Sequence, residues 1–156
     1  MVGWNGGREV KLAKVTLSQT AFEYLVKHLV EIEEEKNKFC EQYFMGLSQE
    51  RREFEKLIKD YIEQVQQFIG NAKKSQTADN SIPLVVIGSK LEVQDLDDRE
   101  VFECRIISPL NGSVNERDIS CLSPVGRSLL LKKVGDEIEV NAPGGLFRYK
   151  VISVQL

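Results

Sequence analysis

The chain has 156 residues, of which 42% are hydrophobic and 29% charged, a balance that suits one ordinary soluble domain or two small ones. Its formal net charge is −3, with 12 basic against 13 acidic side chains through residue 80 and 9 against 11 beyond it. Neither half has the positive excess of a general nucleic-acid or membrane binder, and no apolar run reaches membrane-spanning length.

Residues 1–14 begin Met1-Val2-Gly3-Trp4-Asn5-Gly6-Gly7, without the charged and then apolar stretches of a signal peptide, and read as a flexible leader. Residues 15–70 read as two helices. Thr16 is the expected cap of the first, its side-chain oxygen accepting from an unpaired backbone N–H. Phe22, Leu25, Leu29, Ile32, Lys36, Phe39 and Tyr43 then recur at steps of three and four, a coiled-coil seam with one polar member. Leu47, Arg51, Phe54, Ile58, Tyr61, Val65 and Phe68 repeat the pattern. Between them, residues 44–48 form a connection short enough to make the helices antiparallel, with Gly46 able to end one and Ser48 to cap the next. That register sets Leu25 against Val65, Ile32 against Ile58, Lys36 against Phe54 and Phe39 against Arg51. At 1.5 Å per residue the first helix reaches about 43 Å, a long finger.

Residues 71–83 are polar and aperiodic, and read as a linker that frays the second helix. From residue 84 the period becomes two. Ser89–Gln94 and Glu100–Ile107 alternate around an Asp97-Asp98 turn, and further strands are expected at Asp118–Leu122, Asp136–Val140 and Leu146–Val154. One short helix interrupts them, capped by Ser123, with Pro124 at its first position, where a missing N–H costs nothing. The fold class is α+β in two domains: an antiparallel coiled-coil hairpin and a β-rich domain, residues 84–156, with one short helix. Of the three cysteines, Cys104 and Cys121 fall in alternating apolar stretches and Cys40 stands apart. No CxxC pair occurs, which fits reduced thiols in a cytoplasmic protein.

Ser120-Cys121-Leu122-Ser123-Pro124-Val125-Gly126-Arg127-Ser128-Leu129-Leu130, followed after four residues by Gly135-Asp136, resembles the C-terminal signature of the Gre family of bacterial transcription elongation factors. Ile87–Val93 is similar to the opening strand of that family's C-terminal domain, Asn141–Gly145 to its last turn, and Val15-Thr16-Leu17 to its helix start. The resemblance implies an FKBP-like C-terminal domain and an RNA polymerase partner gripped at the rim of its secondary channel. It implies a finger that enters the channel, where contact with nascent RNA or DNA is open to it. Asp118, Ser123, Pro124, Val125 and Arg127 are then the expected polymerase contacts, the last four read as exposed. The factor is expected to act as a monomer without a cofactor, a resident metal or a membrane, and not as an enzyme in its own right.

The tip departs from the family. Cleavage-stimulating members carry an acidic pair in a motif like Gly-Asp-Leu-Ser-Glu-Asn, which helps hold a second Mg²⁺ in the polymerase active site, because that ion takes hard oxygen ligands. Here Met45-Gly46-Leu47-Ser48-Gln49-Glu50 sets Gly46 at the aspartate position and Gln49 at the glutamate. Glu50 is the nearest carboxylate, about 100° around a helix from Gln49. Phe44, Met45 and Leu47 give the tip an apolar character, either as a contact or as the close of the seam. The expected outcome is a channel binder with weak or no cleavage stimulation. The alternatives are an active cleavage factor using Glu50, a prolyl isomerase, for whose aromatic-lined pocket the second half offers only Phe102, Phe147 and Tyr149 and no tryptophan, and a coiled-coil adaptor for another partner. His28, placed beside Lys27 on the charged side of the first helix, has no second histidine to act with. Glu31, Glu33, Glu34 and Glu35 spread around a helix as a solvated face, and Arg51, Arg52, Lys56 and Lys59 interleave with acids as surface ion pairs.

Overall fold

The computed structural model describes residues 16–43, 48–76, 81–108 and 115–156. The chain divides into two compact units, one within Leu12–Asp79 and one within Asn80–Leu156. Among the described residues, no helix is long and apolar enough to cross a membrane.

The first unit holds β1 (Thr16–Ser18), α1 (Gln19–Tyr43), α2 (Gln49–Asn71) and β2 (Lys73–Ser75). Phe54, Ile58, Tyr61, Val65 and Phe68 form the buried stripe of α2, at the spacing read from the sequence. Ser48 caps this helix, its Oγ accepting from the Arg51 N–H at 3.1 Å. Phe39 packs against Phe54 at 4.7 Å between centroids with the rings tilted, and His28 meets Tyr61 further down the pair, so the helices run antiparallel.

The cap and the seam of α1 differ from expectation. Thr16 is extended and pairs in parallel with Lys73, so it cannot cap; Ser18 does, its Oγ accepting from the Ala21 N–H at 3.1 Å. The deepest positions of α1 are Ala21, Leu25, His28, Ile32 and Cys40, whereas Phe22, Leu29, Lys36 and Phe39 are half-buried. Ala21, Leu25, His28 and Ile32 also follow the four-three step, one residue around from the expected stripe. Contacts choose between the two. Tyr61 takes the ring of His28, and Phe22 is covered by the Lys74 ammonium, 4.1 Å above its ring. Phe39 therefore faces Phe54, while Arg51 turns to Glu55 at 2.9 Å. The stretch read as a fraying linker begins with regular structure: α2 continues through Asn71, and Lys73–Ser75 pair with Thr16–Ser18.

The second unit is a five-stranded sheet in the order β5-β4-β3-β7-β6, made of β3 (Lys90–Asp95), β4 (Val101–Ile107), β5 (Asp118–Ser120), β6 (Glu137–Ala142) and β7 (Gly145–Gln155), with α3 (Pro124–Leu129) between β5 and β6. All pairings are antiparallel except β4 with β5. Alternation puts Leu91, Val93, Cys104, Ile106, Ile138, Val140 and Val151 on the covered side, the period-two pattern of a half-buried sheet. At the β3–β4 turn the Asp97 N–H donates to Asp95 Oδ1 at 2.8 Å, and Arg99 takes a positive φ of 66°. Residues 82–87 add a segment that period-two reading does not find. Ile82, Leu84, Val85, Val86 and Ile87 are buried, with Val85 N–H donating to the Lys132 carbonyl and Leu131 N–H to that of Val85, both at 2.8 Å. A continuous apolar run buried on every side has no period to read.

Candidate functional site

The segment from β5 through α3 is built by local hydrogen bonds. Ser123 Oγ accepts from the Gly126 N–H at 3.1 Å and donates to the Ser120 carbonyl at 2.8 Å. The Ser123 N–H donates to the same carbonyl at 3.1 Å, and Ser120 Oγ accepts from Leu122 N–H. Pro124 occupies the first turn, and Leu129 and Leu130 are buried. Gly126 lies so close to β5 that a Cβ would stand 1.9 Å from the Ser120 carbonyl oxygen, so this backbone approach is what requires glycine.

Once folding has used these groups, Pro124 and Arg127 remain exposed; Ser123 and Val125 are half-buried, less open than their sequence reading. Among the described residues Arg127 makes no ion pair, which leaves its guanidinium available. Asp118 is half-buried and its Oδ2 accepts from the Asn115 N–H at 2.8 Å, so this carboxylate holds the turn before β5. Because Ser123 joins two backbone groups at once, Ser123→Ala is expected to cost the second unit about 1–2 kcal/mol in denaturant unfolding. An unchanged unfolding midpoint would count against the double role.

At the other candidate site, Phe44, Met45, Gly46 and Leu47 lie outside the described residues. Gln49 and Glu50 are exposed in the first turn of α2, and Gln49 Nε2 donates to Glu53 Oε1 at 3.2 Å. Below them, a hydrogen bond from Arg51 holds Glu55 beneath the usual carboxylate range, and burial followed by contact with Glu55 pushes the Cys40 thiol up. Lys56 and Asp60 stand 3.9 Å apart, Lys36 and Glu33 3.0 Å, and Lys27 and Glu31 3.6 Å, all surface pairs of small energetic weight.

His28 is a correction. It is 7% exposed, shares a 2.8 Å hydrogen bond between Nε2 and the Tyr61 hydroxyl, and stacks on Tyr24 at 5.9 Å. Burial lowers its pKa to about 4 against a smaller opposing pull from Glu31, so at neutral pH it is an uncharged member of the core. The three cysteines are buried and none is in a disulfide, and burial raises Cys104 to about 11, an inert thiol. Among the described residues no three His, Cys, Asp or Glu side chains gather as a metal site.

Phe102, Phe147 and Tyr149 do come together, Phe102 edge-on to Tyr149 at 5.8 Å and Phe147 parallel to it at 6.2 Å. One cleft of about 380 Å³ touches Phe102 but is completed by Val101, Glu103, Cys104, Glu116, Arg117 and Ile119.

Residues 80–156 match the family model for the C-terminal part of the transcription elongation factors GreA/GreB. The transcription elongation factor GreA of Thermotoga neapolitana is 31% identical over 157 residues, covering 92% of this chain and 98% of its own. The chain belongs to the GreA/GreB family of transcription elongation factors. The GreA of Clostridium acetobutylicum is 36% identical over 98 residues, a match that spans 63% of this chain and 62% of that relative. Among solved structures, a prokaryotic transcription elongation factor GreA/GreB from Nitrosomonas europaea is similar at 21% identity, covering 93% and 100% of the two chains, with a TM-score of 0.48. A GreA factor homolog, Gfh1 of Thermus thermophilus, is similar at 20% identity, covering 92% and 100%, with a TM-score of 0.40. In this GreA/GreB-family chain the matched region contains the whole Ser120–Leu130 segment and the sheet that carries it.

Proposed function

We propose that this GreA/GreB-family chain binds bacterial RNA polymerase at the secondary channel and regulates transcription there with weak or no stimulation of transcript cleavage. In this reading Pro124 and Arg127, with the accessible parts of Ser123, Val125 and Asp118, meet the polymerase rim while the hairpin enters the channel. What supports docking is the division of labour within Ser120–Leu130: its buried atoms explain the fold, while Pro124 and Arg127 face solvent and, among the described residues, the Arg127 guanidinium makes no ion pair.

The single observation that carries the cleavage part is Gln49. It is exposed at the start of α2, where cleavage-stimulating relatives of this pattern would need a carboxylate, and its amide is tied to Glu53. A neutral amide supplies no negative charge to a second Mg²⁺, so the tip does not suit that role and no metal-dependent step follows from it. Glu50 is one carboxylate where the chemistry uses two.

Pull-down of core polymerase tests docking. Retention by the intact protein and its loss in Arg127→Glu support the surface, and equal retention of both removes it. Addition of the intact protein to stalled elongation complexes tests the tip, with little or no RNA shortening expected. Gly46→Asp combined with Gln49→Glu is expected to raise cleavage by at least about tenfold if the tip reaches the active centre, the scale of placing one metal-binding group. Full cleavage by the unmodified protein would reverse the non-cleaving reading and point to Glu50.

A further inference from the structure

On the sheet of the second unit, register sets Phe102 opposite Val93, Phe147 opposite Val140, and Tyr149 opposite Ile138 on one side and Asp95 on the other. Residues directly opposite in an antiparallel pair share a face, so the three rings continue the core side of the sheet. Unlike Val93, Val140 and Ile138, they are not fully covered: Phe102 is 38% exposed and the other two are half-buried. Phe102 and Tyr149 meet nearly at right angles, with an interplanar angle of 80°.

The β3–β4 turn borders this aromatic corner with acids. Asp97 is neutralised by Arg148 at 2.8 Å. Asp95 and Asp98 are not: each fixes its Oδ1 on a turn N–H at 2.8 Å, from Asp97 and from Glu100, and neither makes an ion pair among the described residues. Asp95 is paired with Tyr149 across the strands, and after burial the charges of Asp95 and Asp98, ahead of Cys104, raise the Tyr149 phenol. Ring faces carry negative potential, and a cation that lies on one while a carboxylate stands beside it gains from both. An acidic partner segment would meet repulsion here.

We propose that the Phe102–Tyr149–Phe147 corner, with Asp95 and Asp98, is a docking surface for a basic segment of a partner protein, which lays an arginine or lysine side chain along the rings. It shares no residue with the surface around α3, so its failure would leave the reading of polymerase docking untouched.

The test uses the full chain and a short fluorescein-labelled peptide of arginine, leucine and glycine, followed by anisotropy at low salt. A counterpart with glutamate in place of arginine is the control. Binding of the basic peptide alone is expected, weakened about fivefold or more by Phe102→Leu, which keeps apolar volume but removes the π face. Asp95→Asn with Asp98→Asn keeps the oxygens that accept the turn N–H groups and removes only charge. It is expected to weaken binding to a similar degree and to flatten its salt dependence. Should Phe102→Leu fail to fold, the Asp95→Asn, Asp98→Asn double variant decides. No binding by the intact protein, equal binding of the acidic peptide, or an unweakened asparagine pair would each overturn the proposal.

Discussion

Acidifying this protein from pH 7 to pH 4 is expected to cost its helical hairpin about 3 kcal/mol through His28 alone. The folded state holds that imidazole at a pKa of about 4, against an ordinary 6.5. Above 6.5 both folded and unfolded chains carry it neutral and the site adds no pH dependence. As pH falls below 6.5 the unfolded chain takes up the proton first, so stability declines across the window down to 4, where the folded state begins to follow. The physical cause is the site: Tyr61 and Tyr24 surround the ring, and only Glu31 offers partial compensation. Helical ellipticity followed through denaturant unfolding at several pH values measures this. His28→Gln, which keeps a hydrogen-bonding group for Tyr61 but cannot charge, is expected to flatten that part of the profile. Parallel profiles for the two proteins would show that carboxylates elsewhere cause the acid sensitivity.

Gly126→Val is expected to destabilise the second unit by about 3 kcal/mol or more, near the upper end for overpacking. The reason is backbone against backbone. The added Cβ would stand 1.9 Å from the Ser120 oxygen, 2.8 Å from its carbon and 3.1 Å from the Cys121 Cα. No side chain can swing aside, and the Ser120 carbonyl is already held by both the N–H and the hydroxyl of Ser123. Relief would require α3 to lift from β5, which would displace Pro124 and Arg127 with it. Gly70 in α2 is the natural control, since an added Cβ there meets nothing within 4 Å. Gly70→Ala should leave the fold unharmed or gain up to about 1 kcal/mol in helix propensity. Thermal unfolding of both variants separates a steric cause from a general dislike of losing glycine.

Much of the fold was legible because its determinants are local. Phe54, Ile58, Tyr61, Val65 and Phe68 have one buried stripe available to them, and Ser123-Pro124 states a helix start in two residues. On α1 two neighbouring stripes follow the same spacing, and choosing Ala21–Leu25–His28–Ile32 over Phe22–Leu25–Leu29–Ile32 required knowing what stands opposite. The pairing of Thr16–Ser18 with Lys73–Ser75 joins segments far apart in sequence, and parallel strands leave no turn between them to announce it. Of the candidate site, the identity of Ser123, Pro124 and Arg127 was readable. The exposure of Pro124 and Arg127 was readable too, whereas Ser123 and Val125 are partly covered by contacts that only tertiary structure sets. The aromatic trio was recognisable as composition, yet its position beside Asp95 follows from the register of β3 with β7.

The short parallel ribbon at the root of the hairpin has one further consequence. α2 leads into Ala72, where the chain turns so that Lys73–Ser75 run alongside Thr16–Ser18 in the same direction. The two ends of the hairpin are thereby latched together, with Leu17, the middle residue of one strand of the latch, buried at 1% exposure. A finger closed at its base does not rely on its fingertip to stay shut, and so the residues there are free to differ in chemistry while the shaft keeps its form.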